Sequence, residues 1–101
     1  MKDKKFDLFG SKIVIKETDR VLVKDKDIEA YGGYNPDGNE ILLAETVNGH
    51  TVTEDEKRIT LLHELFHCIF DKGKYNADGD DEPLVEWCAR CINSLIKQKI
   101  I

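Results

Sequence analysis

The stretch TEDEKRITLLHELFHCIFD, residues 53–71, decides the fold of this chain. Thr53 is followed three residues later by Glu56, the spacing of a capping box, in which each side chain bonds the backbone amide of the other residue. Apolar side chains then recur at helical spacing, at Ile59, Leu62, Phe66, Ile69 and Phe70. The sequence therefore predicts a helix that begins after Thr53, ends near Asp71 and buries this apolar stripe.

The same segment contains HELFH, residues 63–67, which is an HExxH motif. Residues four apart project from one face of a helix, so a ring nitrogen of His63 and one of His67 can bind a single Zn²⁺. Glu64 is poorly directed for a third ligand, and it is placed to take a proton from a zinc-bound water. A solvated histidine pair is the alternative, which apolar neighbours such as Leu62 and Phe66 disfavour because buried polar groups need partners.

A catalytic zinc site usually has three protein ligands and one open position, so a third ligand must come from elsewhere. A second helix is predicted to begin near Pro83, because proline suits a first helical turn. Two carboxylates, Glu82 and Glu86, lie four apart there and can share a face. Glu86 is preferred because Glu82 adjoins Pro83 at the fraying start of the helix. Glu82 stays open as the third ligand, and Asp71 or Glu82 as a fourth ligand would close the site.

The first half of the chain is rich in β-branched and aromatic residues, which favours strands. Candidate strands cover residues 12–17, 21–23, 28–34 and 40–45, and the turn sequence NPDGN at 35–39 joins the last two as a hairpin. We therefore predict an α+β fold, in which a small antiparallel β-sheet or hairpin packs on the HExxH helix and a C-terminal helix.

Length and composition narrow the class of protein. The chain has 101 residues, 41% of them hydrophobic and 35% charged, which is consistent with a single domain over residues 1–101. Its 15 Lys and Arg residues against 20 Asp and Glu residues give a net charge of −5 without a basic stripe. Nucleic acid is therefore not expected as a partner. No apolar run approaches the roughly 18 residues of a transmembrane helix, so we expect no membrane partner.

The cysteines and the first residues of the chain bear on its compartment. Cys68, Cys88 and Cys91 make an odd number, and charges occupy the first twelve residues where a signal peptide needs an apolar stretch. We expect reduced thiols that pack in the core, and a cytoplasmic monomer that acts on a peptide or protein substrate.

HELFH followed by Glu86, in the run EPLVEWCA, resembles the gluzincin arrangement of zinc peptidases. The order of elements is similar to that of small phage- and prophage-borne HExxH proteins and, more distantly, of ImmA/IrrE-type metallopeptidases. The resemblance implies a zincin-like fold and a zinc metallopeptidase with His63, His67 and Glu86 as zinc ligands and Glu64 as the catalytic base.

Two further implications of the resemblance concern the surroundings of the site. The strand Glu40–Ala44 would line the cleft and pair with an extended substrate. Arg90 departs from the pattern, because the family often has Asn or Asp at this position to orient a histidine.

The alternative hypothesis for the same residues is a protein-binding module that zinc stabilises and that is catalytically weak or inactive. Such a module would belong to a phage, prophage or bacterial regulatory system. Zinc would then clamp two helices of a domain with a thin core. The fourth coordination position distinguishes the two readings, because an open position favours catalysis and a fourth protein ligand favours a structural site.

Overall fold

The computed structural model describes residues 3–23, 27–73 and 82–99. These residues form short strands and two helices, which confirms the α+β prediction. The strands are β1 (Lys4–Leu8), β2 (Ser11–Thr18), β3 (Val21–Leu22), β4 (Glu29–Ala30), β5 (Gly32–Asn35), β6 (Glu40–Ala44), β7 (Thr46–Val47) and β8 (His50–Thr51). The helices are α1 (Glu54–Lys72) and α2 (Glu82–Lys97), and most of the loop expected between them lies outside the described residues.

Four strands form the main sheet, in the order β1-β2-β6-β5. β5 and β6 pair antiparallel across residues 36–39, as the turn sequence predicts, and β1 pairs antiparallel with β2. β2 and β6, however, pair in parallel. The sheet is therefore mixed: the predicted antiparallel hairpin is present, but the prediction of an antiparallel sheet is wrong for the pair β2 and β6. A parallel pair needs a crossover connection, and a long-range crossover leaves no signal in the local turn residues.

The core lies where β2 and β6 face α1. Successive side chains of a strand point to opposite faces of the sheet, and the inward residues of both strands are buried together with one helical thiol: Ile13, Ile15, Ile41, Leu43 and Cys68. Leu61 and Leu65 of α1 pack against this cluster. Each fully buried aliphatic side chain contributes about 1.5–3 kcal/mol relative to exposure. The sheet therefore fixes the position of the helix that carries HExxH.

The capping box predicted for α1 is present. The Thr53 hydroxyl accepts a hydrogen bond from the Glu56 backbone N–H at 3.1 Å, and the Glu56 carboxylate accepts one from the Thr53 N–H at 2.9 Å. The predicted buried stripe is wrong in detail, because Glu64 and Cys68 are the buried residues of α1 and the five stripe residues are half-buried. α1 contacts the sheet on one side and α2 on another, so its apolar residues are shared between two neighbours.

α2 lies along α1 through small and apolar side chains. Pro83 is in its first turn, as predicted, and Val85 and Ala89 are fully buried. Asn93 links the two helices, because its amide group donates to Asp55 at 3.3 Å and its carbonyl oxygen accepts from Arg58 at 3.5 Å. These contacts fix the rotation of α2 about its own axis, and with it the direction of every other α2 side chain.

The outer face of α2 is more exposed than the sequence indicates. Trp87 on this face is 68% exposed. Cys68 is buried as expected, but Cys91 is exposed, so the expectation of core packing is wrong for that thiol. Within the described part of the chain, neither helix has the length and apolar character needed to cross a membrane.

Candidate metal centre

The two histidines of HExxH meet on one face of α1. Their Nε2 atoms lie 3.2 Å apart, and the ring centroids are 4.9 Å apart in an edge-to-face arrangement. Two nitrogens bound to one tetrahedral zinc ion, each about 2.0–2.1 Å from it, would lie about 3.3 Å apart. The pair is thus already spaced as two ligands of a single ion.

Glu82, the first residue of α2, brings a carboxylate to both of these nitrogens. One Glu82 oxygen lies 2.9 Å from His63 Nε2, and the other lies 2.8 Å from His67 Nε2. His63, His67 and Glu82 form a group whose ligand atoms all lie within 4.8 Å of one another. Two imidazoles and one carboxylate are a ligand set used by catalytic zinc sites.

Glu86 contacts the other nitrogen of His63. Its Oε1 lies 2.9 Å from His63 Nδ1, and its Oε2 accepts from Arg90 Nε at 2.7 Å. Burial raises the pKa of the Glu86 carboxyl, but the contacts with His63 and Arg90 outweigh it and leave this pKa below its usual value. The assignment of Glu86 as third ligand stays a prediction, and its contact with Nδ1 is the position from which a carboxylate would orient His63 toward a metal bound at Nε2. Arg90 holds Glu86 in that position.

The contact with Glu86 constrains the proton positions of His63. An ionised carboxylate accepts hydrogen bonds only, so Nδ1 of His63 carries a proton in this contact, and a ring with that single proton presents the lone pair of Nε2 on its other side. That lone pair faces Glu82, which is also an acceptor, at 2.9 Å. Such converging acceptors repel one another unless a proton or a cation lies between them. The donor set therefore fits a divalent cation shared by His63, His67 and Glu82.

The sequence favours Glu86 over Glu82 because Glu82 adjoins Pro83 at the start of the helix. Proline keeps the first turn helical by its fixed φ, so Glu82 is well positioned despite being at the helix end. The sequence feature that indicates this arrangement is the pair of carboxylates one helical turn apart. When two carboxylates share a face, one can bind a metal ion and the other can orient a neighbouring ligand.

Glu64 lies beside the histidines and is 9% exposed. Burial raises the pKa of its carboxyl, and the nearby His63 and His67 act in the opposite direction. No hydrogen bond to its side chain occurs among the residues that the structure describes. A buried carboxyl without a hydrogen-bond partner, next to a group of possible metal ligands, is placed to exchange protons with a bound molecule.

A pocket of about 530 Å³ opens beside His63 and Glu64. Its walls come from α1, from Glu86 and Arg90 of α2, and from Tyr31 and Gly32 at the start of β5. The expectation that Glu40–Ala44 lines the cleft and receives a peptide is wrong, because this strand, β6, is hydrogen-bonded to β2 on one side and to β5 on the other. Among the described strands, β5 pairs only with β6 and is the edge of the sheet at this pocket.

The other polar candidates lie outside this centre. Asp71, considered as a further ligand, accepts a hydrogen bond from the Tyr34 hydroxyl at 2.7 Å and is not part of the metal-ligand group. That leaves the three donors described above as the metal-ligand group of the described residues. Comparison of the chain with family models, with curated proteins and with solved structures gives no match.

Proposed function

We propose that this chain is a zinc-dependent hydrolase of peptide bonds with a zincin-like fold. The observation that carries the proposal is the convergence of His63 Nε2, His67 Nε2 and the Glu82 carboxylate. On its other side, His63 donates from Nδ1 to Glu86. When bound by such a ligand set, zinc lowers the pKa of a water molecule toward neutrality and polarises a carbonyl group.

Glu64 supplies the proton transfers. Its carboxylate takes a proton from the attacking water as the water oxygen bonds to the carbonyl carbon, and it then gives that proton to the departing amide nitrogen. Burial favours the protonated form that is needed for the second transfer. Glu86 and Arg90 hold the His63 ring in one orientation throughout, since the carboxylate is fixed at 2.9 Å from Nδ1 and 2.7 Å from the guanidinium.

The surroundings favour a peptide as the substrate. An edge strand presents unpaired backbone N–H and C=O groups, which pair readily with an extended peptide. β5 is such an edge, and Gly32 at its start lines the pocket. A peptide added along β5 would pass the pocket with its backbone near His63 and Glu64.

The test combines metal content with turnover. Purified protein should contain close to one zinc ion per chain by elemental analysis. Glu64→Gln should retain that zinc and lose hydrolysis of a peptide mixture by at least about 10²-fold, because it removes the proton acceptor and no ligand. Protein that stays free of zinc after exposure to it, or a Glu64→Gln variant as active as the unchanged chain, would contradict the proposal.

One observation favours the second candidate, a zinc-stabilised binding module. The histidines belong to α1 and Glu82 to α2, so a shared ion would join the two helices. Metal binding would then contribute directly to the free energy of unfolding. A large rise in melting temperature on zinc binding, together with no cleavage by the zinc-loaded protein of any peptide that it binds, would favour this candidate.

A further inference from the structure

We propose that the pocket beside the candidate metal centre selects peptides that carry a lysine or arginine side chain next to the bond held at His63 and Glu64. This inference rests on the proposed function and names the class of its substrate. It is carried by the shape of the pocket and by the placement of charges on its walls.

The pocket extends along α1 from the metal centre to the capped end of the helix. His63 and Glu64 line it at one end, and Asp55 and Glu56 line it at the other. Seven residues separate Glu56 from His63 along a helix with a rise of about 1.5 Å per residue, which is about 10 Å. The wall between the two ends includes Ile59 and Thr60, so the stem of a long side chain would lie along largely uncharged surface.

Glu56 is the carboxylate at the far end that has no lysine or arginine partner among the described residues. Asp55 faces Arg58 and Lys97 at 3.6 Å each, and Glu86 is paired with Arg90. Among the described residues, Glu56 forms no ion pair within 4 Å; one of its oxygens accepts from the Thr53 N–H, and the Tyr31 side chain and His50 also act on the carboxylate. The hydrogen bond from the Thr53 N–H is the largest of the effects that lower the pKa of the Glu56 carboxyl below its usual value. The Glu56 carboxyl is therefore ionised at neutral pH.

The other charged residues on the walls of the pocket do not offset the charge of Glu56. Arg90, the one lysine or arginine on the walls of the pocket as described, is already engaged by Glu86. The end of the pocket at Glu56 thus has a net negative charge, which favours a cationic group and disfavours an acidic one.

The length of the pocket distinguishes the two common sources of a peptide cation. A lysine ammonium lies about 6 Å from its Cα along a four-carbon stem, and arginine reaches slightly farther. With a hydrogen bond of about 2.8 Å added, such a group spans most of the distance to Glu56. The ammonium of a free N-terminus lies only about 2.5 Å from the carbonyl carbon of its own residue and falls short.

The experiment measures binding apart from turnover. Zinc-loaded Glu64→Gln protein is titrated calorimetrically with N-acetylated, C-amidated hexapeptides of alanine and glycine that carry one central lysine, norleucine or glutamate. We expect the lysine peptide to bind about tenfold more tightly than the norleucine peptide, and the glutamate peptide to bind most weakly.

Glu56→Gln, added to Glu64→Gln, tests the assigned carboxylate. Glutamine retains the capping box, so α1 keeps its start while the charge is removed. The preference for lysine should then fall below about twofold. Glu54→Gln is the matched control, since Glu54 is in the same first turn but is not among the pocket residues, and it should keep the preference.

Several results would overturn the inference: equal binding of the lysine and norleucine peptides, no binding of any peptide, or equal loss in the two variants. A norleucine peptide with a free N-terminus that binds as tightly as the acetylated lysine peptide would overturn it too. Failure of the proposed function has a different signature, in which the lysine peptide binds selectively but the unchanged zinc-loaded protein never cleaves it.

Discussion

Glu82→Ala and Glu86→Ala should affect zinc binding to different degrees. Glu82 contacts the Nε2 atoms of both histidines, whereas Glu86 contacts Nδ1 of His63 alone. Under the proposed function, Glu82→Ala therefore removes a ligand, and Glu86→Ala removes the carboxylate that supports the ligand His63.

The magnitudes follow from these contacts. A four-ligand zinc site binds with roughly 10–16 kcal/mol, or about 2.5–4 kcal/mol for each ligand. Loss of Glu82 should thus weaken zinc binding about 60- to 700-fold. Loss of a group that orients a ligand typically weakens binding about 10- to 100-fold, which is the range expected for Glu86→Ala.

Competition with a chromophoric chelator at neutral pH measures both affinities. Asp71→Ala is the matched control, because this carboxylate was a candidate ligand and is bonded to Tyr34 instead, and zinc affinity should stay unchanged. The reasoning is refuted if Glu86→Ala weakens zinc binding as much as Glu82→Ala or more. That result would return the third ligand to Glu86.

Three further predictions concern the stability of the fold. Gly32→Ala should lower the free energy of unfolding by about 2 kcal/mol or more in urea titration, because an added Cβ would lie 2.6 Å from a β6 carbonyl oxygen. Gly33→Ala, where the nearest atom is 3.9 Å away, should cost much less, and equal losses would contradict the close approach. Thr53→Ala should cost about 1 kcal/mol by loss of the capping box, visible as a lower melting temperature, and an unchanged value would show that the box contributes nothing. Burial and the bond to Asp71 raise the pKa of Tyr34 above its ordinary value of 10.0, so stability should fall as pH rises above about 10, where the unfolded chain ionises first. Tyr34→Phe should flatten that decline, and an equally steep decline in the variant would contradict the assignment.

Local patterns in the sequence predicted the parts of the molecule that local interactions determine. The capping box at Thr53 needs residues three apart, and the shared face of His63 and His67 needs residues four apart, so both follow from helix geometry alone. The hairpin of β5 and β6 follows in the same way from the turn residues between them.

The choice between Glu82 and Glu86 depends on contacts that no local pattern shows. Both carboxylates lie on one face of α2, and which of them reaches Nε2 depends on how α2 is rotated against α1. Val85, Ala89 and Asn93 set that rotation by packing and by hydrogen bonds across the helices. The parallel pairing of β2 with β6 is likewise not visible in any local pattern, because it joins residues far apart in the sequence, such as Val14 and Glu40.

The position of Glu82 as the first residue of α2 has a kinetic consequence for metal exchange. Terminal helical turns open locally at far lower free energy than the whole fold. Opening of this single turn would withdraw one ligand while His63 and His67 stay in place on α1. Zinc should therefore enter and leave through fraying of one helix end, at a rate that low concentrations of denaturant scarcely change.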